Sequence, residues 1–310
     1  MIGNHSHCSF SDVNAIVNKL QLVIYIPTFI TGSILNVVAL WVFCFSMKRR
    51  TEVSIYLMNL AILDLLLLLS LPFKMYFSQQ NTTGYRSLCS FVESLYFTNM
   101  YGSIYTIALI SLDRYIAIKH PFWSKLFRSP KKTATICIFI WLFVWSVSAC
   151  VFTFDFGKEK VRCFHNMSDH VWSSANIISV EVFGFLIPLM VMLFCSIQTI
   201  RALLIHKPYS IQFEELRIII IRIVVSNLVV FLLSFLPPHV GIFLQFLVRQ
   251  NVISECSSKK NISLLVQLTL CLTNVNCCLD AICYYFSVKE FRSKYLRNHS
   301  IGHMVELPNI

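Results

Sequence analysis

Seven stretches of this chain are each long and apolar enough to cross a bilayer, near residues 20–47, 53–78, 87–118, 132–154, 174–205, 215–247 and 261–285. A hydrocarbon core is spanned by about 20 apolar residues in a helix. A lone strand in lipid would leave its backbone groups unpaired, so helix is the default reading for each stretch. The expected fold is an all-α membrane protein, a seven-transmembrane helix bundle over residues 20–286. Residues 1–19 precede it, and 287–310 carry a short amphipathic helix and tail. The 310 residues would suffice for two soluble domains, but 56% are hydrophobic and only 13% charged. That much apolar surface needs lipid as its solvent.

Charge sets the expected orientation. With the N-terminus outside, 17 of the 26 Lys and Arg fall on the inner side, among them Lys48, Arg49, Arg50, Lys125, Arg128, Lys131 and Lys132. The net charge of +11 then describes a cytoplasmic surface facing anionic membrane lipid and an inner partner, and nucleic acid is excluded. Residues 1–18 lack the basic start and apolar run of a signal peptide, so the first span is expected to act as its own anchor. Sequons at Asn4, Asn81, Asn166 and Asn261 all fall outside in this topology, as glycosylation requires; the one at Asn298 falls inside. Of twelve cysteines, Cys8, Cys89, Cys163 and Cys256 lie at outer segments. Four cysteines allow three pairings, and the other eight read as small apolar residues of the spans.

Each span also holds polar or helix-breaking residues that lipid penalises, so these must face the bundle interior. They are Asn36 in GSILN, Asp64 in NLAILD, Asp113-Arg114-Tyr115, Trp141, Pro188, Pro237 in SFLPP, and Asp280-Ala-Ile-Cys-Tyr284. In this order and spacing the chain resembles the rhodopsin-like (class A) G-protein-coupled receptor family over about residues 20–297. Two positions depart from the family: Phe235 stands where a tryptophan is usual, and Asp280-Ala281 where Asn-Pro is usual. Both departures occur in the lipid- and nucleotide-receptor branch. The segments SLPFKM, SLYFTNMYGS, CFHNMSD, FLQFLVR and NVNCCLD look like receptors for lysophosphatidylinositol, a group also discussed as cannabinoid-like.

The resemblance implies a plasma-membrane receptor, multi-pass with an extracellular N-terminus, that binds a lysophospholipid and signals through heterotrimeric G proteins of the twelve/thirteen and q classes. The alternative ligand is another small anion, namely kynurenate, lysophosphatidic acid or a nucleotide. It also implies the pairings Cys89–Cys163 and Cys8–Cys256, a switch formed by Asp113, Arg114, Tyr115 and Tyr284, and an allosteric sodium ion among Asp64, Ser103, Asn276 and Asp280. Asp113 is expected to restrain Arg114 in the resting state. Many relatives place a second restraining acid on the sixth span; here that position holds Arg217, with Glu214 and Glu215 a turn earlier.

Helical spacing places the candidate ligand contacts. Lys74 lies ten residues outward of Asp64, about 15 Å along a helix. Glu93, Tyr96, Met100 and Ser103 share one helix face that continues inward to Ile107, Ile110 and Arg114. Lys74 is expected to bind an anionic phosphate, with Glu93 orienting it or meeting inositol hydroxyls; a plain Lys74–Glu93 ion pair between helices is the bland alternative. Phe183, Phe235, His239, Phe243 and Phe246 supply candidate walls. His165, Gln245, Arg249, Lys259 and Lys260 supply a candidate rim. Glu181 lies inside the fifth span and needs a polar partner that spacing does not identify. Beyond the seventh span, Phe291, Tyr295 and Leu296 alternate with Lys289, Arg292, Lys294 and Arg297, the pattern of a helix lying on a membrane surface. Few Ser or Thr follow, so arrestin is a weaker expectation. No P-loop, zinc-ligand pair or nucleophile elbow points to an enzyme.

Overall fold

The computed structural model describes residues 8–46, 50–79, 86–153, 171–205 and 211–305; within these, side chains are described except at 46, 78, 79, 86, 127, 151–153, 212 and 282–305. Every regular element among the described residues is helical. They are α1 (Ser11–Trp41, ending in a π turn at Val42–Ser46), α2 (Glu52–Gln79), α3 (Arg86–Lys119), α4 (Pro121–Phe127) and α5 (Pro130–Thr153). The fifth span is α6 (Ser174–Ser179), a π turn (Val180–Leu186) and α7 (Ile187–Ile205) in succession; α8 (Ile211–Arg249) and α9 (Cys256–Val305) follow.

Six of the seven expected spans are helices long and apolar enough to cross a membrane by composition alone among the described residues. The exception is α3, for a physical reason. It packs against α2, α5, α7 and α8, so its faces meet protein and can carry Glu93, Asn99, Ser103, Thr106, Asp113 and Arg114, all buried. The bundle is inverted relative to a soluble protein. Asn36, Asp64, Ser103 and Asp280 are buried at its centre, while Val23, Phe139 and Met190 point outward at 65–71% exposure. Close helix approach relies on glycine, as is usual between helices in lipid. A Cβ on Gly102 would sit 2.9 Å from Leu63, and one on Gly184 2.8 Å from Tyr101.

Prolines inside these helices strip backbone donors, and neighbouring side chains repair the deficit. Pro238 cannot donate to the carbonyl of Ser234, and Thr273 Oγ1 on α9 donates to it instead at 3.1 Å. In the π turn the amide of Ile187 bonds to Val182, so by the same spacing the Phe183 carbonyl would await Pro188, which has no N–H. Tyr105 Oη fills that place at 2.9 Å.

The seventh span runs on unbroken through residue 287 to Val305, where a separate short amphipathic helix is expected from the sequence. With Asp280-Ala281 in place of Asn-Pro, no ring interrupts the backbone ladder there. At the opposite end of the bundle the Cys8–Cys256 disulfide ties the N-terminal segment to the start of α9. Cys89 is also disulfide-bonded; Cys163 lies outside the described residues, as do Asn4, Asn81, His165 and Asn166. Among the described residues, seven cysteines of the spans are free thiols.

Candidate functional site

Three layers of polar residues run through the bundle, beginning at the ends of α2 and α3. Asp113 and Arg114 are 7% and 8% exposed. Both carboxylate oxygens of Asp113 are taken by Arg128, which donates from Nε at 2.6 Å and from Nη2 at 2.7 Å. Arg128 stands just past α4. It also reaches Glu52 at the start of α2 (3.3 Å) and Ser124 Oγ (3.1 Å). One guanidinium therefore joins the ends of α2 and α3 and the α4 turn, in the fork geometry that suits arginine. Tyr115 packs edge-on against His120 and Phe194, at 5.3 and 5.7 Å between centroids. Arg217 pairs with Glu214 on its own helix at 2.6 Å. The Tyr284 side chain lies outside the described residues.

The middle layer gathers the two intramembrane aspartates. Asp64 and Asp280 are each 1% exposed and interact electrostatically. Asn276 donates to Asp280 Oδ2 at 3.0 Å and accepts from Ser234 at 2.9 Å. Asn36 donates to the carbonyls of Gly32 and Cys277, both at 3.0 Å. Ser103 is buried at the same level, and its hydroxyl has no hydrogen-bond partner among the described residues. Beside this layer Trp141 Nε1 donates to Asn59 (2.7 Å), which donates to Thr106 (2.8 Å), linking α5, α2 and α3.

The third layer lies toward the Cys8–Cys256 end. Lys74 is buried, its ammonium 3.9 Å from the Tyr96 ring centroid and 5.3 Å from that of Tyr25. Glu93, fully buried, is within electrostatic reach of Lys74. Tyr96 Oη donates to the Leu270 carbonyl at 3.1 Å. The large cavity of about 800 Å³ lies beside this group: Phe97 and Leu270 are part of its wall, while Lys74, Glu93, Tyr96 and Met100 are not. Tyr101, Tyr105, Phe143 and Phe183 line its apolar side, and Gln245, Arg249, Lys259 and Gln267 its polar side. The Arg249 guanidinium lies 5.7 Å from the ring centroid of Trp172, another wall residue. Of the residues the sequence singles out, Phe183, Gln245, Arg249 and Lys259 line this cavity. Phe235 is buried against Phe231 at 5.2 Å, and Phe243 is 49% exposed near Phe246.

The π turn, whose Val180, Phe183 and Gly184 form part of the cavity wall, carries Glu181 to a partner on α8: His239 Nδ1, 3.1 Å from Glu181 Oε2. The His239 ring is 1% exposed, stacked on Phe185 at 4.2 Å and edge-on to Tyr101 at 5.9 Å. The fifth and sixth spans are thus joined by a polar contact beside an aromatic cluster.

A helix bundle with buried acids on its second, third and seventh spans and an Asp-Arg-Tyr end is a known receptor pattern, and comparison with known proteins decides it. The sequence matches the family described as 7 transmembrane receptor (rhodopsin family) over residues 35–284. The chain belongs to that family. The receptor is 47% identical to human G-protein coupled receptor 55, over 92% of this chain and 90% of that protein. It is 36% identical to human G-protein coupled receptor 35, over 94% and 92%. With human lysophosphatidic acid receptor 4 the identity is 35%, over 91% of this chain and 78% of the relative. Membership makes the chain a multi-pass membrane receptor and not an enzyme.

Several residues of the receptor site escape sequence reading. Arg128 is visible only as one of many basic residues at that end, and nothing in its spacing names Asp113 as its partner. His239 as the partner of Glu181 depends on the extra residue of the π turn. Tyr101, Tyr105 and Trp172 read as ordinary aromatic residues. Pro188 is the one available signal that a carbonyl about a turn earlier needs an outside donor; that it is Phe183's depends on the π turn.

Proposed function

We propose that this receptor responds to an anionic lysophospholipid, lysophosphatidylinositol foremost, and signals through heterotrimeric G proteins of the twelve/thirteen and q classes. The observation that carries the reading is the make-up of the 800 Å³ cavity: its described lining has two cations, Arg249 and Lys259, and no carboxylate. Its other wall is apolar, and there Phe143, Val147 and Phe183 are 56%, 44% and 61% exposed on the lipid-facing surface. A cationic end and an apolar side open to lipid suit a single-chain anionic amphiphile. A nucleotide has no use for that apolar wall. The name of one relative supports the class: it is a lysophosphatidic acid receptor.

In this reading the Cys8–Cys256 end is extracellular and the Arg114 end cytoplasmic, at the plasma membrane. The phosphate meets Arg249 and Lys259, with Gln245 and Gln267 near the inositol hydroxyls, and the acyl chain passes Tyr105, Phe143 and Phe183. Lys74, set behind Phe97 and Leu270, adds positive potential from behind the wall and is braced by Tyr96 and Glu93. Glycans on the outer sequons, of which Asn261 is exposed on α9, and an arrestin partner belong to the same reading. A sodium ion fits the middle layer, where Asp64, Ser103, Asn276 and Asp280 would hold it with hard oxygen donors of the kind it prefers. Agonist binding shifts the population toward a state whose sixth span swings outward and opens the cytoplasmic end.

A panel of lysophospholipids, nucleotides and kynurenate applied to cells expressing the receptor tests this. Lysophosphatidylinositol is expected to activate it. Arg249→Gln or Lys259→Gln should raise the effective concentration about tenfold, the scale of a lost charged hydrogen bond. Lys74→Ala should abolish the response with surface expression retained. Activation by nucleotides or kynurenate alone would overturn the lipid assignment.

A further inference from the structure

A second concavity lies at the Arg114 end, far from the large cavity. It is a groove of about 290 Å³ between the ends of α3 and α7, lined by Ile118, Lys119, Gln198, Arg201, Ala202 and Ile205. We propose that this groove binds the phosphate of an anionic phospholipid from the leaflet facing the Arg114 end. Four observations support this occupant.

The first is charge. Two of the six lining residues are cationic and none is acidic. The second is preorganisation. Lys119 Nζ donates to Gln198 Oε1 at 2.6 Å, which fixes the ammonium at the groove. The amide N–H₂ of Gln198, two further ammonium hydrogens and the guanidinium of Arg201 remain as donors. Phosphate oxygens are acceptors only, so the sets match.

Depth is the third. Lys119 is the last residue of α3, and Arg201 lies one turn before the end of α7 at Ile205. Both stand where a span leaves the hydrocarbon and meets the phosphate level. The fourth is the flank. Phe194, Ile197, Leu204 and Ile205 are 55%, 44%, 58% and 76% exposed on the same helix, an apolar bed for the acyl chains of a lipid held by its phosphate. A soluble anion would gain nothing from that bed, whereas basic pockets between spans on the cytoplasmic side are a known chemistry for lipid head groups. Lys119 Nζ is also 5.7 Å from the Tyr115 ring centroid, so the groove adjoins the Asp113-Arg114-Tyr115 segment. The proposal rests on the membrane reading above only for which leaflet supplies the lipid; its readout involves no agonist, so the two stand or fall separately.

The test uses the purified full chain in nanodiscs of phosphatidylcholine, with or without phosphatidylserine or a phosphatidylinositol phosphate. Lipid retention is read by native mass spectrometry and stability by the unfolding midpoint. Wild type is expected to retain the anionic lipid and unfold at a higher temperature in its presence. Lys119→Gln and Arg201→Gln should each weaken retention about fivefold. Charge-matched controls, Arg50→Gln and Lys131→Gln, each also removing one positive charge, should retain lipid as wild type does. Equal retention by the groove variants and wild type would overturn the proposal. So would inorganic phosphate reproducing the effect in pure phosphatidylcholine, which would mark a site for the free ion. Loss of G-protein binding in phosphatidylcholine discs, with lipid retention intact, would mark a protein contact and equally overturn it.

Discussion

At the scale of single residues, the carboxylate of Asp113 is held at both oxygens by the fork of Arg128, with Glu52 sharing the same guanidinium. A buried charge pair of this kind is costly to break from one side, since the remaining carboxylate keeps its desolvation penalty. In the family, Asp113 is expected to restrain Arg114, and here Arg128 decides how that carboxylate is oriented. Arg128→Gln should raise agonist-independent nucleotide exchange on the G protein about fivefold, equivalent to about 1 kcal/mol. Arg128→Lys, which keeps charge but loses the fork, should fall between. Basal exchange unchanged in both variants would show that Arg128 has no part in the restraint. Arg217 cannot supply that restraint in its stead, being a cation engaged with Glu214 on its own helix.

At the scale of elements, the helices are legible from the sequence because lipid leaves so few choices. Each apolar run had to be a helix, and the polar residues within it had to face inward, as Asn36, Asp64, Ser103 and Asp280 do. What sequence spacing could not supply is the rotation of one helix against another. The π turn at Val180–Leu186 inserts a residue and turns everything beyond it by about 100°, which is how Glu181 comes to meet His239. Likewise Lys74, Glu93 and Tyr96 do come together as the three- and four-residue spacing on α3 implies, yet Phe97 and Leu270 stand between them and the cavity. Periodicity names a face and not the layer behind it. The proline repairs belong to this scale too. Thr273→Val keeps the shape but leaves the Ser234 carbonyl without its donor. It should lower stability by about 1–3 kcal/mol, the cost of an unsatisfied buried group, measured as a fall in unfolding midpoint in detergent or nanodiscs. Threonine replaced by serine, which keeps the hydroxyl, should be close to neutral.

At the scale of the whole molecule, three polar layers are stacked along an apolar bundle: a cationic cavity at the disulfide end, a paired-aspartate layer at mid-height, and the Arg128–Asp113–Glu52 junction at the far end. The Glu181–His239 contact and the Thr273–Ser234 bond both reach α8, the span proposed above to swing outward. In the proposed reading, an agonist in the cavity would act beside contacts that tie α8 to its neighbours. The central claim is that the cavity takes an anionic lysophospholipid, and direct binding tests it most closely. Labelled lysophosphatidylinositol should bind the purified receptor in phosphatidylcholine nanodiscs saturably. Other anionic lysophospholipids should displace it, and neutral lysophosphatidylcholine or the free inositol phosphate head group should do so poorly. Arg249→Gln combined with Lys259→Gln should weaken it by tenfold or more, about 1.4 kcal/mol at the least. If the head group or a nucleotide competes as well as the lysolipid, or if the double variant binds as wild type does, the cavity has been misassigned.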